Sequence, residues 1–382
     1  MAEHASVGEN RRVYAVLACC AGQAGDDQLS RSLDGFTDWS ALQTAAEAHG
    51  LGPLVYARLK AADVALPPAA WRALHGLYLR HRHANGVRLS ALRQVLVALD
   101  AAGISPFVLK GAALAHLIYS EPGLRPMGDL DLLLKRSDLE RARHVLLELG
   151  FEPSPPDDGT LPDKHVVVAR CVDGLPVKVE LHHGLFPSRC RITTTLDPLA
   201  SSPVAFQIGD LTARTLGLEA LLWHLCQHLV VHADVFTRLR LIWIADIARL
   251  AESFLDQIDW EHLRRAYPIV PRVLSLLHVV VPLSEDLLRA ARVRVGHAGH
   301  GDWEDFRGWP RTAVADQRRV GKGTRRIVVD TFCPSAWWLR LHHGLGSASP
   351  LWWYRWVRHP LEILGWTTQL LCQRAIARPA GG

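Results

Sequence analysis

The chain has 382 residues, 49% hydrophobic and 21% charged, which is the make-up of a globular protein with room for two domains and excludes one disordered throughout. A net charge of +5 with no dense Lys/Arg block tolerates a polyanionic ligand but is too weak to argue for nucleic acid. Seven scattered cysteines without a C-x-x-C spacing, no secretory leader and no 18-residue apolar run point to a cytoplasmic protein with reduced thiols and no transmembrane segment.

Residues from about 10 to 100 show helical periodicity in Trp39–His49, Leu54–Ala62 and Ala69–Ala101, with no catalytic cluster, so a scaffold or lid is expected there. The pattern changes at Gly103. Ile104–Leu109 reads as a short buried strand, and Lys110-Gly111 turns the chain into a helix, Ala112–Tyr119. A loop with Pro122, Gly123 and Pro126 leads to a strand over Asp129–Leu134. A helix then runs from Ser137, as N-cap, to Leu149, with Gly150 closing it. His165–Cys171 and Leu175–Leu181 flank the turn signal Asp173-Gly174 and read as a hairpin, and Val204–Ile208 as an edge strand.

The helical period returns in Leu216–Val231, Thr237–Ala251, Trp260–Tyr267 and Val270–Ala290, and the remainder is irregular and rich in Trp and Arg. The expected fold is α+β: a small mixed β-sheet core between N-terminal and C-terminal helical regions. Its divisions are a helical region over 1–102, an α/β core over 103–212, a helical region over 213–292 and a Trp/Arg-rich extension over 293–382.

The most informative residues are Asp129 and Asp131. On a strand, residues one apart share a face, so both carboxylates stand together while Leu130 and Leu132 point into the core. Two like charges so close are costly unless a cation lies between them, and hard oxygen ligands suit Mg²⁺. The same alternation puts Val177, Val179 and Leu181 on the buried face of the later hairpin and Lys178, Glu180 and His182 on the other. If that strand lies beside Asp129–Leu134, Glu180 completes a carboxylate triad able to hold two Mg²⁺, and Glu180 or His182 can take a proton. The plainer alternative is three exposed surface charges. Upstream, Lys110 and Gly111 sit where backbone N–H groups at a helix N-terminus bind phosphate, although an ordinary strand–helix turn looks the same.

The stretches Val108-Leu-Lys-Gly-Ala-Ala-Leu114, Pro122-Gly-Leu-Arg-Pro-Met-Gly-Asp-Leu-Asp-Leu-Leu133 and Val179-Glu-Leu-His182 resemble the uncharacterised nucleotidyltransferase family of the polymerase-β-like superfamily. Leu222-Trp-His224, His228, His232, Arg240, Trp243 and Asp246 follow its helical portion. The resemblance covers roughly residues 100–265, is looser over 37–100 and is weak beyond 300. It implies a nucleotidyltransferase core in which Asp129, Asp131 and Glu180 are catalytic metal ligands. Lys110, Gly111, Arg125, Gly128 and His182 would contact the nucleoside triphosphate. Gly111-Ala112 departs from the Gly-Ser or Gly-Gly usual in the phosphate loop, and Glu180 stands where Asp is frequent.

His224, His228 and His232 form one stripe on a helix, which Asp246 and Arg240 on the next helix are placed to meet. Substrate contact and helix–helix packing with hydrogen-bonded histidines are the two main readings; zinc is a third that no Cys or Glu completes. Eight of the thirteen tryptophans follow residue 300, which suits packing or a protein partner first and peripheral membrane contact second. The expected activity is Mg²⁺-dependent transfer of a nucleoside monophosphate from an NTP to an acceptor hydroxyl or phosphate. A small molecule, peptide or protein suits as acceptor better than RNA. The altered phosphate loop also admits a catalytically weak or inactive nucleotide-binding or partner-binding module.

Overall fold

The computed structural model describes residues 2–22, 25–154, 165–186, 202–235, 239–293, 323–346, 349–365 and 368. Five helices come first: α1 (Ala2–Ala21), α2 (Asp26–Leu33), α3 (Trp39–Ala48), α4 (Gly52–Ala61) and α5 (Pro68–Ala101). Asp38 caps α3 by accepting from the Ala41 amide at 2.9 Å, and proline opens α4 and α5, where its missing N–H costs nothing. The 34-residue α5 joins two cores. Leu74 and Leu77 on its first half belong to a helical core with α1–α4, whereas Val87, Leu92, Val95 and Leu99 on its second half cover the sheet. Each such side chain contributes about 1.5–3 kcal/mol by leaving water.

The sheet consists of β1 (Phe107–Val108), β2 (Asp129–Leu133), β3 (Glu152–Pro153), β4 (His165–Val172) and β5 (Leu175–His182), in the order β1-β2-β5-β4-β3. Only β2 and β5 are parallel, so the sheet is mixed. Between its strands lie α6 (Lys110–Leu117) and α7 (Leu139–Glu148). The α+β expectation holds, with some corrections. Ser137 does not cap α7: a 3₁₀ turn over Arg136–Asp138 takes up the entry, and no side chain caps the helix. Gly150, at φ +80°, closes it in the left-handed conformation, with the Phe151 amide bonded to the Leu146 carbonyl. The segment expected as an edge strand, β6 (Val204–Ile208), instead pairs with β7 (Leu211–Thr215) in a separate two-stranded sheet around Gly209.

Helices α8 (Leu218–Val235), α9 (Leu241–Ser253), α10 (Trp260–Ala266), α11 (Ile269–Val280) and α12 (Glu285–Ala290) follow. The run expected over Val270–Ala290 breaks at Val281-Pro282, and Ser284 caps α12. Further on lie α13 (Thr324–Phe332), α14 (Ala336–His342) and a helical stretch over 352–365 with a π-turn at Tyr354–Arg358. Trp337 and Trp338 are buried in the core shared by α1–α4 and α8–α12. Trp303, Trp309 and Trp366 lie outside the described residues. Among the described residues no helix is long and apolar enough to cross a membrane.

His49, just past the end of α3, ties the N-terminal helices to the start of α9. The His49 ring accepts from the Leu241 amide at its Nδ1, 3.2 Å away, and its carbonyl accepts from the Ile242 amide, also at 3.2 Å. No side chain of its own caps α9, so His49 satisfies two of its first orphan amides from 192 residues away in the chain.

Candidate active site

Parallel pairing of β2 with β5 sets Asp129 opposite Lys178, Asp131 opposite Glu180 and Leu133 opposite His182. Along β5 the burial alternates as the spacing requires, with Val177, Val179 and Leu181 buried and Lys178, Glu180 and His182 half-buried on the other face. On β2, Asp131 is 2% exposed despite its charge, and Asp129 is half-buried at the strand's start. Gly128, just before it, is exposed with open space around it.

Asp131 is the hub. Its Oδ1 lies 2.8 Å from Lys110 Nζ and 2.8 Å from His182 Nε2, and the same Nε2 lies 3.4 Å from Glu180 Oε2. Lys110 reaches it because the chain turns at that residue, at φ +46°, between β1 and α6. Burial would raise the Asp131 carboxyl, but the Lys110 ammonium and His182 outweigh it and hold the group well below the usual carboxylate range. Burial would lower Lys110 and His182, and the surrounding acids lift both above their ordinary values. Asp129 is pushed up to about 6, by burial first and the Asp131 charge second.

Crowded carboxylates of this kind fit a divalent cation. The donor atoms that converge, all within 4.8 Å of one another, belong to Asp131, Glu180 and His182, whereas Asp129 shares their face but stands outside that set. His182, expected beside the nucleotide, therefore sits among the donors.

Arg125, expected at the triphosphate, is engaged elsewhere. Its guanidinium does not face an open cleft for a triphosphate: Nε lies 3.3 and 3.2 Å from Asp246 Oδ1 and Oδ2, Nη2 2.5 Å from Oδ2, and Nη1 2.8 Å from the Pro126 carbonyl. Asp246, expected to meet the histidine stripe, is thus spent on Arg125 and on the Tyr119 hydroxyl, which donates to Oδ1 at 2.7 Å. Asn85 on α5 donates to the Pro122 and Arg125 carbonyls at 2.7 and 2.8 Å, so the loop entering β2 is held from α5 and, through Asp246, from α9. Gly111 owes its identity to the same arrangement, since a Cβ there would stand 2.7 Å from Arg125 Nη1 and 3.2 Å from Met127 Cβ.

Two arginines were not foreseen as neighbours of the acids. Burial lowers Arg88 on α5 and Arg240 before α9, and the Asp129 charge opposes that in each case. Arg88 Nε is buried with no hydrogen-bond partner. Buried Asn85 and half-buried Arg88, three residues apart on α5 beside the apolar positions that cover the sheet, are the signal that marks this face.

His224 lies deepest in the stripe, 1% exposed, against Phe186 at 5.1 Å between ring centroids, and both its nitrogens are unbonded. It is lowered to about 3, by burial first and then by the Lys110 charge. His228 and His232 pack on each other at 4.1 Å and on Trp243 at 5.5 and 4.5 Å. Among the described residues the stripe gathers no metal-donor cluster.

A family model described as an uncharacterised nucleotidyltransferase matches residues 36–277, well over half of the chain. The chain belongs to this uncharacterised nucleotidyltransferase family. Membership supports nucleotidyl transfer in general, and the match takes in every acid and base placed above. No curated protein matches this family member in sequence.

Solved structures give distant likenesses. ANT(2″)-Ia in complex with adenylyl-2″-tobramycin is 16% identical, with a TM-score of 0.35 over 47% of this chain and 96% of that one. A solution structure of the antibiotic-resistance factor ANT(2″)-Ia is 14% identical, with a TM-score of 0.33 over 48% and 92%. An antigenic nucleotidyltransferase-like protein from Paracoccidioides brasiliensis is 18% identical, with a TM-score of 0.36 over 57% and 97%. Likenesses this distant assign no residue of this nucleotidyltransferase a role.

Proposed function

We propose that the chain is a Mg²⁺-dependent enzyme that moves a nucleoside monophosphate from an NTP to a hydroxyl or phosphate of a small molecule, peptide or protein. The observation that carries this reading is the register of β2 against β5, which sets Asp131 beside Glu180 with His182 in contact with both. Asp131, Glu180 and His182 would hold the cation, with Asp129 on the same face. Bound there, divalent ions would neutralise the triphosphate and acidify the attacking hydroxyl.

The chain's own groups account for the rest. Lys110 and Arg88 bring positive charge to the face where the triphosphate oxygens must lie, and the uncapped N-terminus of α6 offers backbone donors. Arg88 replaces Arg125 in this scheme, and Arg125 positions the loop that feeds Asp129. The acceptor oxygen bonds to the α-phosphorus as the bond to the bridging oxygen breaks, pyrophosphate departs, and the acceptor proton passes to Glu180 or His182.

Incubation with each labelled NTP and Mg²⁺ tests the scheme. Label transfer or pyrophosphate release that disappears in Asp131→Ala and Glu180→Ala supports it. Nucleotide binding without turnover, whatever acceptor fraction is supplied, would instead support a non-catalytic module. That second reading draws on the Lys110 and His182 contacts that already occupy Asp131 Oδ1.

A further inference from the structure

Among the described residues, ten large apolar side chains are exposed, and eight of them fall within residues 328–364. Trp352 and Trp356 are 66% exposed, Trp353 is 50%, and Leu361 and Leu364 are each 62%. Such concentration in one part of a chain marks a surface that meets something apolar.

The stretch over 352–365 is firmly seated by its opposite face. His359 is fully buried, with Nε2 2.8 Å from the Thr331 carbonyl of α13, and Ile363 is 4% exposed in the core. Glu362 accepts from His342 Nε2 at 3.1 Å and from Arg358 Nε at 3.0 Å. The outward side chains are therefore not an accident of a loose helix. Their alignment depends on the π-turn at Tyr354–Arg358, where the His359 amide bonds back to the Tyr354 carbonyl. That widened turn shifts the later residues round the axis by about one position, which brings Leu361 and Leu364 into line with Trp353 and Trp356. A regular α-helix would have spread these four over a wider arc.

We propose that this outer face docks on the surface of an anionic lipid bilayer. Tryptophan suits the headgroup boundary, with an apolar body and a polar N–H. Residues 323–365 hold five arginines and no lysine against one aspartate and one glutamate, and Arg325 and Arg358 are exposed. That imbalance complements acidic headgroups. No described helix can span a bilayer, so the segment would lie on the surface, independently of what the acidic site does.

The test is co-sedimentation of the full chain with vesicles of phosphatidylcholine alone and of phosphatidylcholine mixed with phosphatidylglycerol. The expected result is binding to the acidic vesicles only, weakened by salt, and reduced by about a hundredfold in Trp353→Ser/Trp356→Ser/Leu361→Ser. These positions are exposed, so the variant should keep the wild-type circular dichroism and elution volume. A wild-type chain that stays in the supernatant, or a variant that binds as wild type, overturns the proposal. Self-association that the variant abolishes, with no vesicle binding, would also overturn it in favour of a second copy of the chain.

Discussion

Arg125 and Asp246, 121 residues apart in the chain, close a buried ion pair in which Nη2 lies 2.5 Å from Oδ2 and Nε bridges both carboxylate oxygens. Asp246→Asn would leave a buried guanidinium without its counter-charge. Removing one partner of such a pair costs about 3–5 kcal/mol, whereas replacing both with apolar residues can be nearly neutral. Urea unfolding is expected to show that loss for Asp246→Asn and recovery of most of it in Arg125→Met/Asp246→Leu. Equal losses in the single and double variants would refute the pairing as a stability determinant.

Gly111→Ala should behave like a mild version of the same lesion. The new methyl meets Arg125 Nη1, an atom at the end of a flexible chain, but Asp246 and the Pro126 carbonyl pin it. Overpacking of this kind costs about 1–3 kcal/mol. In the Asp246→Asn background the carboxylate's share of the pin is gone and only the Pro126 carbonyl remains, so the added cost of the methyl should shrink. Strict additivity in that double variant would argue against the clash.

Kinetics separate the two arginines. Asp131→Asn is expected to lower kcat by at least about a hundredfold, because it removes a fixed charge from the reacting face. Arg88→Met should mainly raise KM for the NTP, by roughly tenfold for one lost charge contact. Arg125→Met should instead lower the fraction folded and leave KM of the surviving enzyme near wild type. A KM effect larger for Arg125 than for Arg88 would restore Arg125 as the phosphate ligand.

Acid should weaken the fold through its buried imidazoles. His224 is held down to about 3 and His49 to about 4, both chiefly by burial, from an ordinary value of 6.5. A depressed folded value means that stability is intact above pH 6.5. It is lost as pH falls towards 4, because the unfolded chain takes up protons that the folded chain refuses. For His224 the loss is about 1.4 kcal/mol at one pH unit below 6.5. Unfolding free energies at pH 7.5 and 5.5 should therefore differ more in the wild type than in His224→Leu. An unchanged difference in that variant would remove His224 from the account.

Much of the acidic site was legible because a strand's period of two leaves little choice. Once Leu130, Leu132, Val179 and Leu181 must be buried, the faces of Asp131, Glu180 and His182 follow. Spacing alone did not dictate that β2 and β5 are neighbours, and the resemblance supplied that expectation. What stayed hidden depends on distance along the chain. Arg125 looked free to bind phosphate because its partner lies on α9, and Arg88 looked like any helix arginine because its target, Asp129, lies on β2. Ser137 misled for a local reason: the 3₁₀ turn uses it inside the turn, so it cannot stand before the helix.

The hydrogen bonds from Leu241 and Ile242 to His49 bear on how the molecule can be cut. A fragment beginning at residue 103 would keep every acidic side chain of the strands, yet α9 would start with its amides bare. Asp246 sits in the second turn of that helix, so fraying from the exposed end would reach Arg125 and then the loop leading to Asp129. The first hundred residues thus act less as a cover than as a keystone: trimming them takes away Arg88 together with the support of α9, and should abolish catalysis although every acid of the strands remains.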